Sequence, residues 1–169
     1  ALDRIDRMRC VLGLFEGVVT GAADGYYRIA GRPAATLLHL GPGLGNGLAN
    51  LHNARRARSG VVNIVGEHAS DHVGLDSPLT SDLEGFARPV SHWVRTTRSA
   101  RAIGVDAQAA IEAACTPPGG VATLALPADA AWTELAADTP VPAPGSQRPP
   151  ILYRPLSPEA VGAAARELC

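Results

Sequence analysis

The chain of 169 residues is long enough for one domain of ordinary size and the start of another. Its formal net charge of −1 and its aromatic content of 4% argue against a nucleic-acid-binding protein and against binding to an anionic membrane, and no apolar run is long enough to span a bilayer. All 15 basic residues are arginine, which excludes a Schiff-base lysine and a Walker-type phosphate-binding lysine in this chain. Three cysteines without a C-x-x-C spacing predict reduced thiols in a cytoplasmic protein.

Short apolar runs alternate with amphipathic stretches along the chain. The runs predict five buried strands, at residues 10–15, 34–40, 61–65, 91–96 and 121–126. The intervening stretches predict helices over residues 17–29, from a glycine-rich turn at 41–47 to about 58, near 81–87 and over 106–115. Strands without polar alternation, separated by helices, are typical of a parallel sheet covered on both faces, so we predict a three-layer α/β/α fold.

The C-terminal part of the chain differs in composition from the rest. Seven prolines between residues 139 and 158 predict an extended, semi-rigid linker. Ser157 and Pro158 are suited to the N-cap and first position of a helix. We expect a segment of a longer protein, with one domain at residues 1–138, the linker at 139–158 and the first helix of a further domain at 159–169.

Glu16 and His39 each stand where a predicted strand ends and a helix follows, which is where such sheets bind ligands. Glu16 is either a solvated helix cap or a buried acid, and His39 is either a hydrogen-bonded core residue or part of a site. The glycines of residues 41–47 let backbone N–H groups approach a ligand, or else only allow a tight turn and close helix packing. They do not follow the G-x-G-x-x-G pattern, which disfavours a flavodoxin-like nucleotide-binding domain.

Two further polar groups have structural explanations. His68 and His72 have the four-residue spacing of metal ligands on a helix, but the residues around them disfavour a helix, so we assign no metal ligands. Arg55, Arg56 and Arg58 are expected to complement the C-terminal dipole of a helix.

Several motifs occur at a characteristic spacing: Leu14-Phe15-Glu16, Ala22-Ala23-Asp24-Gly25-Tyr26-Tyr27-Arg28, Gly31-Arg32-Pro33, Leu38-His39-Leu40-Gly41-Pro42-Gly43-Leu44-Gly45-Asn46, and Arg88-Pro89-Val90-Ser91-His92-Trp93. Over residues 1–135 the chain resembles the pyrimidine-binding (PYR) domain of thiamine diphosphate-dependent enzymes, in the group that contains acetolactate synthase and benzoylformate decarboxylase. The resemblance implies that Glu16 hydrogen-bonds N1′ of the cofactor's aminopyrimidine, that Pro42 and Asn46 contact the cofactor, and that His39 handles protons on the substrate adduct. The cofactor would serve as the electron sink for decarboxylation of a 2-oxo acid.

The resemblance also implies parts that lie outside the sequence. The family's first strand, inside a sheet of order 2-1-3-4-6-5, would precede Ala1, and a central domain and a magnesium- and diphosphate-binding (PP) domain would follow Cys169. The active site would lie between this PYR domain and the PP domain of a second subunit, in a homodimer or homotetramer, and the chain alone would be inactive. The sequence leaves open which 2-oxo acid is used, whether the reaction is decarboxylation or carboligation, and whether FAD is bound. The alternative is a stand-alone PYR-like subunit that pairs with a separate PP subunit.

Overall fold

A computed structural model of the chain describes residues 8–136, 139 and 157–168. In this part, four strands form one parallel sheet of order β1-β2-β4-β3: β1 (Ala34–His39), β2 (Val61–Glu67), β3 (Trp93–Thr96) and β4 (Val121–Pro127). The α-helices of the same part are α1 (Glu16–Ala30), α2 (Leu40–Arg56), α3 (Leu83–Ala87), α4 (Ile103–Cys115), α5 (Ala128–Trp132) and α6 (Pro158–Leu168). Short 3-10 turns occur at Val73–Leu75 and Ala100–Ala102.

Helices cover both faces of the sheet, which confirms the predicted three-layer α/β/α architecture. On one face, α1, α2 and α3 close the larger core, with Leu44 and Val65 fully buried in it. On the other face, Ala110 and Ala114 of α4 pack against β2 and β4. Full burial of a leucine or valine side chain contributes about 1.5–3 kcal/mol, so the larger core carries most of the hydrophobic stabilisation.

The four described strands follow the corresponding part of the predicted strand order. In the family order 2-1-3-4-6-5, the four strands are the third, fourth, sixth and fifth. The pairs β1–β2, β2–β4 and β3–β4 are all parallel, and Ile64 stands opposite Leu37 and Leu124 in the middle of the sheet. Among the described strands, none lies beside the outer edge of β1.

The predicted strand at residues 10–15 is wrong. The structure has a loop there, and Val11, Leu12 and Leu14 are 77–96% exposed. A strand needs a neighbour to take up its backbone hydrogen bonds, and the expected order would give this segment the first strand as its only neighbour. The first strand of the expected order is not among the described strands. The apolar composition of residues 10–15 therefore predicted a buried strand, but no neighbouring strand is there to pair with it.

A row of buried polar side chains crosses the sheet. Thr36 donates a hydrogen bond to Asn63 Oδ1 over 2.8 Å, and Asn63 Nδ2 donates to Thr123 Oγ1 over 3.0 Å. Ser91 and Thr123 share a hydrogen bond of 2.7 Å between their hydroxyls. Because each of these side chains is more than nine-tenths buried and has a partner, a slip of one residue between strands would leave several polar groups unsatisfied.

Asp24 ties α1 to the loop that precedes β2. Its buried carboxylate accepts two hydrogen bonds from Arg28, of 2.9 and 2.8 Å, and a third from the Ser59 hydroxyl. Burial by itself would raise the pKa of Asp24, but the hydrogen bonds from Arg28 and Ser59 and the charge of Arg28 outweigh it and hold the pKa below its usual value.

Replacing Asp24 by Ala is expected to lower the free energy of unfolding by about 1–3 kcal/mol, because the buried Ser59 hydroxyl loses its acceptor. Since the pKa of Asp24 is lower in the folded chain than in the unfolded chain, its ionisation stabilises the fold above the unfolded pKa of about 3.9, and this stabilisation is lost as the pH falls through the folded pKa. Urea unfolding of both proteins at about pH 7 and about pH 3 measures this. A difference between them that is as large at the lower pH would contradict the role of the ionised carboxylate.

The C-terminal helix begins as predicted, since the Ala160 N–H donates a hydrogen bond of 3.1 Å to Ser157 Oγ. Most of the predicted linker lies outside the described residues, and the domain boundaries stay a prediction. Of the helices that the structure describes, none combines the length and the apolar character that a membrane crossing requires.

Candidate functional site

Glu16 and the start of α2 meet at the carboxyl end of β1. Glu16 is the first residue of α1, after the extended residue Phe15, and α2 begins directly after His39. The first turns of both helices therefore direct free N–H groups and the positive ends of their dipoles toward the same region. The place of Glu16 at a helix start is as predicted, whereas no strand precedes it.

The predicted turn at residues 41–47 is wrong, because α2 begins at Leu40 and contains the whole glycine-rich stretch. The chain changes direction at Leu40 itself, which is buried and has a φ of 55°. A bulky side chain in this left-handed region costs roughly 1–2 kcal/mol, and such strain is typical of functional sites. Glycine is a poor helix former, but here tertiary contacts require its missing side chain.

Two of these glycines allow α2 to pack closely against its neighbours. A Cβ atom added at Gly41 would lie 1.9 Å from Ser81 Oγ, so the backbone of α2 approaches the loop that precedes α3. A Cβ atom at Gly47 would lie 3.0 Å from Thr20 Cγ2 and 3.1 Å from Leu38 Cδ1. The glycines thus bring the first two turns of α2 against α1 and the sheet.

Three asparagines on α2 connect this helix to the first turn of α1, and we call them the asparagine face. Asn46 Nδ2 donates to Glu16 Oε2 over 3.1 Å, and Asn50 Nδ2 donates to the Gly17 carbonyl over 2.6 Å. Asn53 Nδ2 in turn donates to Asn50 Oδ1 over 3.3 Å. The asparagine face therefore holds both the side chain of Glu16 and the backbone that carries it.

Thr20 reinforces the contact between the two helices from inside the core. Its fully buried hydroxyl lies 3.1 Å from the Gly47 carbonyl and 3.0 Å from the Glu16 carbonyl. Because one oxygen links the first turn of α1 to α2, the position of Glu16 is fixed relative to Gly43 and Asn46.

The carboxylate of Glu16 has one oxygen in use and one available. Oε2 accepts the hydrogen bond from Asn46, while Oε1 has no hydrogen-bond partner among the described residues. A Cβ atom at Gly43 would lie 3.5 Å from Oε1 and 3.6 Å from His39 Cβ. A methyl group at this position would thus be in van der Waals contact with both residues, and Gly43 leaves that volume unfilled.

The structure brings three of the four predicted site residues together. Glu16 and His39 lie beside Gly43, Asn46 is hydrogen-bonded to Glu16, and His39 is exposed at the end of β1. Pro42 lies on the exposed side of the first turn of α2. All four therefore belong to the same end of the sheet.

The histidine pair follows β2, whose carboxyl end lies beside that of β1. His68 and His72 stack with their ring centroids 5.7 Å apart. Within the described residues, no group of three or more His, Cys, Asp or Glu side chains is arranged to hold a metal ion.

Comparison with known proteins identifies the domain. Residues 1–90 match the thiamine pyrophosphate enzyme family in its N-terminal TPP-binding domain. The chain belongs to this family. The match covers more than half of the chain and includes Glu16, His39, Pro42 and Asn46, so the PYR-domain resemblance is confirmed at the level of the family and the fold.

Other thiamine pyrophosphate enzymes are similar over most of the chain. A Mycobacterium tuberculosis protein named "Putative acetolactate synthase large subunit IlvX" is 60% identical over 150 residues, which are 88% of this chain and 29% of that protein. The benzoylformate decarboxylase of Pseudomonas aeruginosa is 33% identical over 128 residues, 75% of this chain and 24% of that protein. The chain thus spans less than a third of the length of these relatives.

A solved structure shares the fold. It is the X-ray structure of "a putative thiamin diphosphate-dependent enzyme" from Mycobacterium smegmatis. The two chains match with a TM-score of 0.74 and 27% sequence identity, over 87% of this chain and 28% of that one. The chain therefore shares the fold of that protein over most of its length.

Sequence reasoning predicted Asn46 as a cofactor contact but missed the asparagine face that holds Glu16 in position. Asn46, Asn50 and Asn53 stand at positions i, i+4 and i+7, which places them on one face of a helix. This spacing could have predicted that the three side chains share one face. It was not used because residues up to 47 were predicted to form a turn and not a helix. Thr20 and Leu40 left no comparable signal, because a buried hydroxyl and a strained φ are set by the tertiary structure.

Proposed function

We propose that the chain is the PYR domain of a thiamine diphosphate-dependent enzyme that acts on a 2-oxo acid, with Glu16 as the residue that acts on the cofactor. The family of the chain supplies the cofactor class. The observation that carries the proposal is the state of the Glu16 carboxylate at the start of α1: Asn46 holds Oε2, while Oε1 has no hydrogen-bond partner among the described residues.

The residues around Glu16 fit an aminopyrimidine ring. The missing side chain of Gly43 leaves room beside Oε1, and a carboxyl oxygen without a partner is suited to share a proton with a ring nitrogen. Pro42 and Asn46, on the first two turns of α2, would line the same space. When bound, thiamine diphosphate would supply the electron sink for decarboxylation.

Each side chain would have a separate task. Glu16 would hold and release a proton at Oε1, and Asn46 would keep the carboxylate in one orientation. His39 is exposed on the other side of Gly43, where its imidazole would move a proton to or from the substrate. The names of the relatives support either acetolactate formation or decarboxylation of an aryl 2-oxo acid.

The rest of the active site would come from a PP domain that also holds Mg²⁺, in a second subunit of a cytoplasmic homodimer or homotetramer. The greater length of the relatives supports this part of the proposal. Within the present chain, residues 1–138 would form the PYR domain, 139–158 a linker and 159–169 the first helix of a central domain.

The experiment that tests the proposal begins with the coding DNA on both sides of this segment. We expect the reading frame to continue upstream into a further strand and downstream into a Gly-Asp-Gly…Asn motif. The protein of that full frame is then assayed with thiamine diphosphate, Mg²⁺ and either pyruvate or benzoylformate, with release of CO₂ as the readout. Start and stop codons at the ends would instead favour a stand-alone subunit, and absence of cofactor-dependent turnover from the full frame would refute the proposal.

Replacing Asn46 by Ala in that protein is expected to lower cofactor-dependent turnover by about tenfold, because a hydrogen bond to a charged group contributes about 1.5–3 kcal/mol. Asn53→Ala is the matched control, since Asn53 contacts Asn50 and not Glu16. Steady-state rates and the half-saturating concentration of thiamine diphosphate are measured for both. Equal losses in the two variants would show that Asn46 acts only through the packing of α2.

A further inference from the structure

A cavity of about 790 Å³ lies at the opposite end of α2 from Glu16. It is open to solvent and is lined by the C-terminal ends of α2 and α4, the residue before β3 and the turn at residues 116–120. Its volume is within the range of small-molecule sites, which is about 300–1,000 Å³. Of the described residues, no carboxylate lines the cavity, and five arginine or histidine side chains do: His52, Arg55, Arg56, Arg58 and His92.

Two arginines of the cavity have no ion-pair partner among the described residues, as is true of several other described arginines outside it. Arg28, Arg88 and Arg95 each form an ion pair with a carboxylate, at 2.6–2.8 Å. Neither Arg56 nor Arg58 has an ion-pair partner within the part of the chain that the structure describes.

The helix dipoles do not account for all of this positive charge. The C-terminal ends of α2 and α4 each carry a partial charge of about −0.5, together about −1. Arg55, Arg56 and Arg58 bring three positive charges, so a net charge of about +2 remains at the cavity. The sequence-based explanation of these arginines as dipole partners is therefore incomplete.

Arg58 occupies a position that usually favours glycine. It follows the last turn of α2 with a φ of 58°, and its N–H donates to the Arg55 carbonyl over 3.2 Å. The next N–H, of Ser59, donates to the Ala54 carbonyl over 2.9 Å, which completes a Schellman motif. The chain thus places a long cationic side chain at a left-handed position where L-residues are disfavoured.

Close backbone contacts fix the walls of the cavity. A Cβ atom at Gly119, whose φ is 89°, would lie 2.5 Å from the Arg58 carbonyl oxygen, and one at Gly120 would lie 2.6 Å from His92 Nδ1. His92 Nε2 donates a hydrogen bond of 3.1 Å to the Ala113 carbonyl, which holds the imidazole against α4. Arg55 is oriented in the same way, because its Nη1 donates to the Pro89 carbonyl.

We propose that this cavity binds a phosphorylated organic anion of nucleotide size, with its phosphate groups held by Arg56 and Arg58. Guanidinium groups match phosphate geometry and bind it through paired charge-assisted hydrogen bonds. The net positive charge favours an anion with more than one negative charge, and the volume exceeds what an inorganic phosphate would fill. The site is formed by residues of this chain alone.

Isothermal titration calorimetry of the full chain with ADP, without divalent metal and at about 0.1 M salt, tests the proposal. ADP is expected to bind saturably at one site, and inorganic phosphate and pyrophosphate are expected to bind at least about tenfold more weakly. No saturable heat with ADP would overturn the proposal. Equal affinity for pyrophosphate and ADP would overturn the assignment of an organic ligand.

Arg56→Ala and Arg58→Gly are each expected to weaken ADP binding by about tenfold. Arg58→Gly separates binding from folding, because glycine adopts the left-handed conformation freely and the thermal midpoint should stay the same or rise. Arg101→Ala, at the other end of α4, is the matched control and should bind ADP as the unmodified chain does. Unchanged affinity in both cavity variants would overturn the proposal.

The variant Glu16→Gln distinguishes a failure of this inference from a failure of the proposed function. Glu16→Gln is expected to leave ADP affinity unchanged, since α2 has 17 residues and is about 25 Å long, with Glu16 at one end and the cavity at the other. A loss of ADP binding in that variant would place the nucleotide at the Glu16 site and refute the cavity as its site.

Discussion

Replacing Glu16 by Gln is expected to lower cofactor-dependent turnover of the active protein by about 10²- to 10⁴-fold, the usual contribution of a positioned acid or base. The amide is nearly the same size as the carboxyl group and keeps an oxygen that can accept the hydrogen bond from Asn46 Nδ2. It cannot take up or release a proton at the position of Oε1. The variant therefore removes proton exchange with the cofactor and leaves the shape of the site intact.

The control for this prediction is Glu134→Gln, because Glu134 is exposed after α5 and far along the chain from the site. Both variants should unfold at the same urea concentration as the unmodified protein. Turnover with the 2-oxo acid and the affinity for thiamine diphosphate are measured for all three proteins. A Glu16→Gln variant with full turnover would remove Glu16 from the mechanism, and a loss of equal size in Glu134→Gln would point to a general effect of charge.

Most elements of the fold could be predicted from local sequence patterns. The helix α1 follows from its apolar spacing, and its end follows from Gly31, which adopts the left-handed φ of 67° expected of a helix-terminating glycine. The strands β2 and β4 follow from continuous apolar runs, which are typical of strands buried on both faces. In these elements the local preference and the tertiary environment agree.

The failures occur where tertiary contacts decide the structure. Residues 10–15 are apolar enough for a strand, but a strand needs a neighbouring strand, and composition does not show one. Residues 41–47 contain enough glycine to predict a turn, yet they form a helix because Gly41 and Gly47 pack where side chains would collide. The sequence shows where the glycines are, but only the structure shows which neighbouring residue occupies the space that a side chain would need.

The candidate site was predictable as a list of residues and not as an arrangement. The resemblance led to Glu16, His39, Pro42 and Asn46, and the structure places Glu16 and His39 beside Gly43, with Asn46 hydrogen-bonded to Glu16. The hydrogen bond from Asn46 to Glu16 joins residues 30 positions apart, so no local rule could supply it. Local patterns thus located the ends of elements, and the packing of α1 on α2 determined which of their side chains meet.

Replacing Gly41 by Ala is expected to lower the free energy of unfolding by about 2–3 kcal/mol, at the upper part of the range for an overpacked site. The new methyl group would lie 1.9 Å from Ser81 Oγ and 2.4 Å from Ser81 Cβ, so the short serine side chain cannot turn away and the loop itself must move. Gly45→Ala is the matched control on the same helix, because its nearest contact is Phe86 Cε2 at 4.0 Å. There the better helix propensity of alanine should stabilise the protein by up to about 1 kcal/mol.

The double variant Gly41→Ala with Ser81→Gly separates steric overlap from any other effect of the alanine. It removes the two Ser81 atoms that collide with the new methyl group, so most of the lost stability should return, and a double-mutant cycle gives the coupling between the two positions. Urea unfolding of the four proteins provides the measurement.

Since Gly41 immediately follows the strained Leu40 and precedes Gly43 and Asn46, turnover should fall in Gly41→Ala and recover with stability in the double variant. If stability returns and turnover does not, the backbone at Gly41 contributes to the site directly and not only through the packing of α2 against Ser81.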